Sequence, residues 1–195
     1  MKKLCFALII LCGFALSLYA DNMKDAYQSY REHKFDKAVE LYKEAYKKSE
    51  GISHGGQAAM WVGSLYEQGG HGVEKNVNEA ITWYKKAIKR NHYFAYGKLG
   101  ELYSSPKNPT HFEMKKAIDC AEDLIDALPN NFISHRDAAK IYFQVGDIEK
   151  AIELQTKAIK YAKNRGVESK KSIKNAELVL KGYKQGEKLG CHRDH

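Results

Sequence analysis

A chain of 195 residues with 32 Lys and Arg against 24 Asp and Glu carries a formal charge of +8, and 44% of its residues are hydrophobic. That is about one domain's worth of chain, with enough apolar content for a core. Its basic residues are spread as Lys-Lys pairs interleaved with Glu and Asp instead of forming one block, which argues against nucleic acid as a partner.

The first twenty residues hold Lys2 and Lys3 and then a nearly unbroken apolar run from Leu4 to Leu18. They read as a secretory signal peptide (1–20), cut after Ala20 ahead of the polar Asp21-Asn22, although Leu18 is bulkier than the alanine preferred two residues before Ala20. The run falls short of the ~20 residues that a membrane span needs. Ile9-Ile10-Leu11 before Cys12 lacks the small residue that lipoprotein processing takes. The expected location is outside the cytoplasm of a bacterium, in the periplasm or secreted. Without Lys2 and Lys3 the formal charge becomes +6. Cys5 and Cys12 leave with the leader, and Cys120 and Cys191 stay. An oxidising compartment permits a Cys120–Cys191 disulfide; the alternative is a packed thiol at 120 and a loose one at 191.

Further along, the chain repeats itself. Gly63 to Gly100, Tyr66 to Tyr103 and Ala80 to Ala117 are each 37 residues apart. A fixed period in the thirties signals stacked helix pairs, each too small to bury its own apolar face. Alanines at 80, 87, 117, 151 and 158 let helix backbones approach closely, while Tyr66, Trp83, Tyr84 and Tyr103 recur at helical spacing as an inter-repeat core. Gly69, Gly70 and Gly72 supply the freedom of a tight turn. No segment reads convincingly as a strand. Between Glu168 and Gly190 the apolar residues Ile173, Ala176, Val179, Leu180 and Tyr183 fall on one face, opposite Lys170, Lys171, Lys174, Lys181 and Lys184, as a capping helix requires.

The last copy, with Ala138-Ala139, Tyr142, Gly146-Asp147-Ile148, Ala151 and Ala158 after the Leu128-Pro129-Asn130-Asn131 break, resembles a tetratricopeptide repeat. Ala26, Tyr30, Phe35-Asp36, Ala38, Tyr42 and Ala45 form a shorter copy of that kind. In the middle copies the step from Tyr66 to Ala80 and from Tyr103 to Ala117 is 14 residues, against 9 from Tyr142 to Ala151. That extension, with Gly69-Gly70-His71-Gly72-Val73 and Trp83-Tyr84, resembles the Sel1-like relative of the tetratricopeptide repeat. The third copy keeps the spacing but replaces the glycine turn by Ser104-Ser105-Pro106-Lys107-Asn108-Pro109. The resemblance implies an all-α, right-handed α–α superhelix of about four helix pairs plus a C-terminal capping helix. Its divisions are 21–50 (tetratricopeptide-like), 55–91 (Sel1-like), 92–129 (divergent Sel1-like), 130–163 (tetratricopeptide), 167–190 (capping helix) and 191–195 (tail).

Chemistry finds little support. Some cysteine-rich Sel1-like proteins are β-lactamase-like, and Ser104-Ser105-Pro106-Lys107 has the Ser-x-x-Lys order. The Ser-Asp-Asn and Lys-Thr-Gly elements that such catalysis needs are missing, and Pro106 and Pro109 break the helix that the geometry requires. Lys86-Ala87 is followed by Ile88, with Tyr96 eight residues on, where the cysteine-rich subgroup has its disulfide pair. Histidines 33, 54, 71, 92, 111, 135, 192 and 195 include the closing Cys191-His192-Arg193-Asp194-His195, which reads as a solvated tail and not as a zinc site. No catalytic residue, metal ligand or cofactor is expected.

Binding is better placed. The resemblance implies an inner wall built from one side of the first helix of each pair (helix A). Projecting that register selects Tyr27, Tyr30, Arg31, Gln57, Met60, Ser64, Gln68, Phe94, Glu101, Arg136, Lys140 and Phe143. Arg136 and Lys140, one turn apart, could jointly hold a carboxylate; Tyr27, Tyr30 and Phe143 offer apolar anchors, or else Tyr30 and Phe143 pack between neighbouring helices. The resulting expectation is a scaffold or adaptor that binds a peptide or protein. A cell-wall-acting protein (peptidoglycan-binding or a weak β-lactamase-like hydrolase) and a host-directed secreted effector are the alternatives.

Overall fold

A computed structural model describes residues 19–49, 55–165 and 169–188. Among them run nine α-helices: α1 (19–31), α2 (Phe35–Lys48), α3 (Gly55–Gln68), α4 (Val77–Lys89), α5 (Phe94–Ser104), α6 (Met114–Ala127), α7 (Phe132–Val145), α8 (Ile148–Arg165) and α9 (Lys170–Lys188), with a 3₁₀ turn at Pro109–His111. The fold is all-α, consistent with the expected Sel1-like or tetratricopeptide-like solenoid, with neighbouring helices packed on one another within each unit. The chain divides into two compact units, Met1–Ala95 and Tyr96–His195.

In the first unit α2 packs on α3 and α3 on α4. The alanines expected at close helix approaches, Ala38, Ala45, Ala80 and Ala87, are fully buried, and so are Ala58 and Ala59. Gly63 shows why a side chain is excluded on α3, because a Cβ there would stand 2.6 Å from the Tyr84 ring. Asn76 caps α4, its side chain accepting from the Glu79 amide at 3.0 Å, which satisfies one of the amides that a helix start leaves open.

The extension between α3 and α4 is a miniature hairpin. Gly70 and Val73 exchange backbone hydrogen bonds of 2.8 and 3.0 Å across His71 and Gly72, both at positive φ, the pattern of a two-residue turn of the primed kind. His71, at φ 48°, accepts a conformation that favours glycine and lays its ring 4.8 Å from Phe35 and 5.0 Å from His33. The hairpin thus reaches back onto the turn between α1 and α2.

In the second unit α6 packs on α7, α7 on α8 and α8 on α9. Asn131 caps α7 by accepting from the Ile133 and Ser134 amides at 2.7 and 3.3 Å, and Gly146, at φ 96°, closes it. Such left-handed closure favours glycine. Phe132, Ala158, Ile159, Ala162 and Ala176 form the core beneath α9, with Ile173 and Leu180 packed on it. Gln155, fully buried on α8, donates to the Ala176 carbonyl at 2.9 Å and ties the two helices. Val179 departs from its expected place: it is 43% exposed. Among the described residues α9 has a helical neighbour on one side only, so Ile173, Ala176, Leu180 and Tyr183 fill the contact stripe and Val179 falls beyond its edge.

The leader expected at 1–20 lies outside the described residues except for its last two, which open α1. Tyr19 packs with Ala45 and Ala58 under Met23 and Tyr46, so a cut after Ala20 removes one member of that cluster. Cys120 is buried on α6, and Cys191 lies outside the described residues. No helix among the described residues is long and apolar enough to cross a membrane.

Replacing Gly63 by valine drives a branched side chain into the Tyr84 ring. A loss of about 2 kcal/mol is expected from overpacking of this kind, read as a lower urea midpoint with unchanged slope; an unshifted midpoint refutes the close-contact account.

Candidate interaction surface

On the first unit the surface of α1 and α3 is built around Trp61. Its indole stacks on Tyr42 of α2 with ring centres 5.7 Å apart and planes 4° from parallel, and it meets Tyr30 at 5.3 Å and Tyr27 at 6.3 Å. Tyr30 in turn stacks on Phe35 at 5.3 Å. Tyr42 is fully buried, whereas Tyr27 is 49% exposed. These rings form a wall that is packed behind and open in front.

Two cavities flank that wall. One, of ≈ 340 Å³, is lined by Met23, Lys24 and Tyr27 of α1, Tyr42 of α2, and Gln57 and Trp61 of α3. The other, of ≈ 360 Å³, lies between Tyr30, Arg31, His33 and Phe35 on one side and Gln68 and His71 on the other. Tyr42 Oη is buried with no hydrogen-bond partner among the described residues. Burial pushes this phenol well above its usual range, and Tyr27 and Tyr30 nearby add to the shift, so it stays protonated and a donor. A third cavity, of ≈ 470 Å³, is polar and includes Asp36, Glu40, Glu74 and Glu79. The lysine in it, Lys43, is already engaged, donating to Tyr66 Oη at 2.7 Å.

In this unit the expected wall residues divide into three sets. Tyr27, Tyr30, Arg31, Gln57 and Gln68 line the two flanking cavities. Met60 is half-buried on α3, and Phe94, at the end of this unit, stands edge-on to His92 at 6.1 Å. Ser64 faces inward, its Oγ 3.3 Å from Tyr84 Oη, which itself donates to Glu67.

In the second unit the expected residues are tied to one another or to the core. Lys140 pairs with Glu101 at 3.0 Å, and Arg136 pairs with Asp137 at 2.7 Å. The two cations expected to share a ligand carboxylate therefore each hold one of the chain's own. Phe143 stacks on Tyr183 of α9 with centres 4.4 Å apart, which is the packing alternative. Ser104 is buried, its Oγ 2.7 Å from both the Gly100 carbonyl and Gln144 Oε1, and Lys107 lies beyond the helix end. Among the described residues no group of three His, Cys, Asp or Glu is placed to hold a metal ion; the closing Cys191–His195 lies outside them.

Trp61 was not among the expected residues, although its spacing from Gln57 (i+4) and Ser64 (i−3) sets it on the same stripe of α3. Asp137 was missed too, because nothing in the local pattern marks its burial. Desolvation raises the Asp137 carboxyl above its usual range, against the pull of Arg136. A carboxyl so raised favours folding when protonated and loses that contribution as pH rises through its folded value. Asp137→Asn, which keeps an acceptor for Arg136, is therefore expected to raise the melting temperature at pH 7, the gain closing as pH falls toward the usual carboxylate value. A gain that does not change with pH counts against this account.

No curated protein matches the chain. Residues 31–49 and 56–92 match the family model of the Sel1 repeat. The second match spans α3, the hairpin and α4, and the first covers α2, in the copy whose residues resemble a tetratricopeptide repeat. Together they support the Sel1-like, tetratricopeptide-type superfamily for this chain.

Proposed function

We propose that this protein is an exported interaction module that holds a peptide or protein partner on the helix A surface of its first unit. The observation that carries the reading is the aromatic wall of Tyr27, Tyr30 and Trp61, flanked by two cavities and open at Tyr27. Tyrosine and tryptophan supply much contact area with few rotors, which is why binding surfaces concentrate them. Sel1 repeats commonly serve as protein–protein interaction modules. Export rests on Lys2, Lys3 and the apolar run that follows. The hydrolase alternative draws no support from Ser104, whose hydroxyl is buried and hydrogen-bonded.

A photo-crosslinking side chain at Met60, on α3, is expected to capture a discrete partner in the source cell. The same group at Lys85, exposed on α4, is expected to capture none. Equal capture from both positions removes the helix A assignment, and recovery of the protein in the cytoplasmic fraction removes export.

A further inference from the structure

The aromatic wall has a chemistry that narrows its ligand. We propose that the α1–α3 surface takes an extended, acidic, proline-containing peptide. One backbone carbonyl accepts from Tyr42 Oη, and two carboxylates, three residues apart, pair with Lys24 and Arg31. This inference rests on the interaction reading above and specifies its ligand.

Three observations carry it. Tyr42 Oη is a buried donor without an acceptor, on a residue that lines the cavity beneath Tyr27 and Trp61. A buried polar group left unmet is costly, so a ligand that brings an acceptor gains more here than elsewhere on the surface. Tyr42 is fully buried, so a neighbouring side chain has to move to admit one, and Tyr27 is the exposed ring of the wall. An ammonium group, which aromatic cages otherwise favour, has no acceptor to offer, and no acidic residue lines this cavity.

Lys24 and Arg31 supply the second observation. Both are exposed, and neither makes an ion pair among the described residues, whereas Lys34 on the following turn is held by Glu32. They flank Tyr27 on one face of α1, one lining each cavity. Seven residues of α-helix place them about 10 Å apart on that face.

Geometry supplies the third. A polyproline II strand has three residues per turn and rises about 3.1 Å per residue, so residues three apart share a face at about 9 Å. Two acidic residues around two prolines, Glu-Pro-Pro-Glu, match the cation spacing while the proline rings lie on the aromatic wall. Polyproline II leaves its backbone carbonyls free. A partner helix could match the charges, but its carbonyls are already bonded within the helix and leave Tyr42 unmet. From Gln57 to Gln68 the α3 stripe runs about 16 Å, room for about five residues of such a strand.

Fluorescence anisotropy of a labelled nonapeptide centred on Glu-Pro-Pro-Glu, titrated with the purified protein, tests this. Saturable binding is expected, weakened about three- to tenfold by Tyr42→Phe, with no fall in melting temperature because the ring stays on Trp61. Lys24→Glu with Arg31→Glu is expected to abolish binding, and a Lys-Pro-Pro-Lys peptide to bind only weakly. The inference is overturned by no binding at millimolar peptide, by equal affinity for Tyr42→Phe, or by equal affinity for a Glu-Ala-Ala-Glu peptide, which shows that the prolines contribute nothing. If the peptide fails while the Met60 crosslink still captures its partner, only the ligand chemistry falls. If that crosslink also fails, the interaction reading falls with it.

Discussion

The first unit depends on one stacked pair, Trp61 on Tyr42. Parallel rings 5.7 Å apart fix how closely α3 lies to α2, and Tyr30, 5.3 Å from the same indole, brings α1 to the same point. Large flat rings bury much area for few rotors, which suits a repeat whose helices carry little apolar surface of their own. The same stacking has a consequence for binding. Tyr42 is completely buried there and its hydroxyl is stranded, so the contact that organises three helices lies with an unmet donor beneath the face that α1 and α3 present.

Glycine and alanine perform the complementary task of letting backbones close. Gly63 and Gly100 occupy equivalent places in the 37-residue period, yet they meet different neighbours. Gly63 makes room for the Tyr84 ring of its own pair, and Gly100 for Ile141 on α7 and the Ala117 carbonyl on α6. A repeated position therefore encodes the absence of a side chain, not a particular contact. The hairpin follows similar logic: positive φ at Gly70, His71 and Gly72 turns the chain within two residues and returns His71 to Phe35. The extension that separates the Sel1-like copy from the tetratricopeptide-like one is spent on bracing the preceding helical turn.

This explains why the fold was legible in the sequence and the surface was only partly so. Helical period, alanine spacing and the Asn76 and Asn131 caps are local signals, and local structure follows them. Tyr84, Trp83 and Tyr103 are buried as their spacing implies, whereas Tyr66 is half-buried and lines the polar cavity. Side-chain engagement is not local. Lys140 looks like a free cation until α5 and α7 are brought together, when Glu101 claims it, while Arg136 is held by Asp137, its neighbour on α7 itself. Phe143 reads as an anchor until α9 lays Tyr183 on it. Trp61 shares a stripe with Gln57 and Ser64, but one side of α3 looks much like another in sequence. Only the position of Tyr42 shows which side the indole covers.

The two helix A surfaces consequently differ in what they can offer a ligand. On α7 both Arg136 and Lys140 already have a carboxylate within 3.0 Å, so an acidic ligand exchanges one partner for another, and exposed ion pairs are worth only about 0–1 kcal/mol in either form. On α1 the carboxylate of a ligand meets Lys24 and Arg31 with no internal partner to displace among the described residues. Charge complementarity there adds to encounter and register, and the wall behind it contributes apolar area. Affinity of the whole protein for an acidic peptide should therefore be carried by the first unit, because that surface has free cations, exposed aromatic area and an unmet donor together.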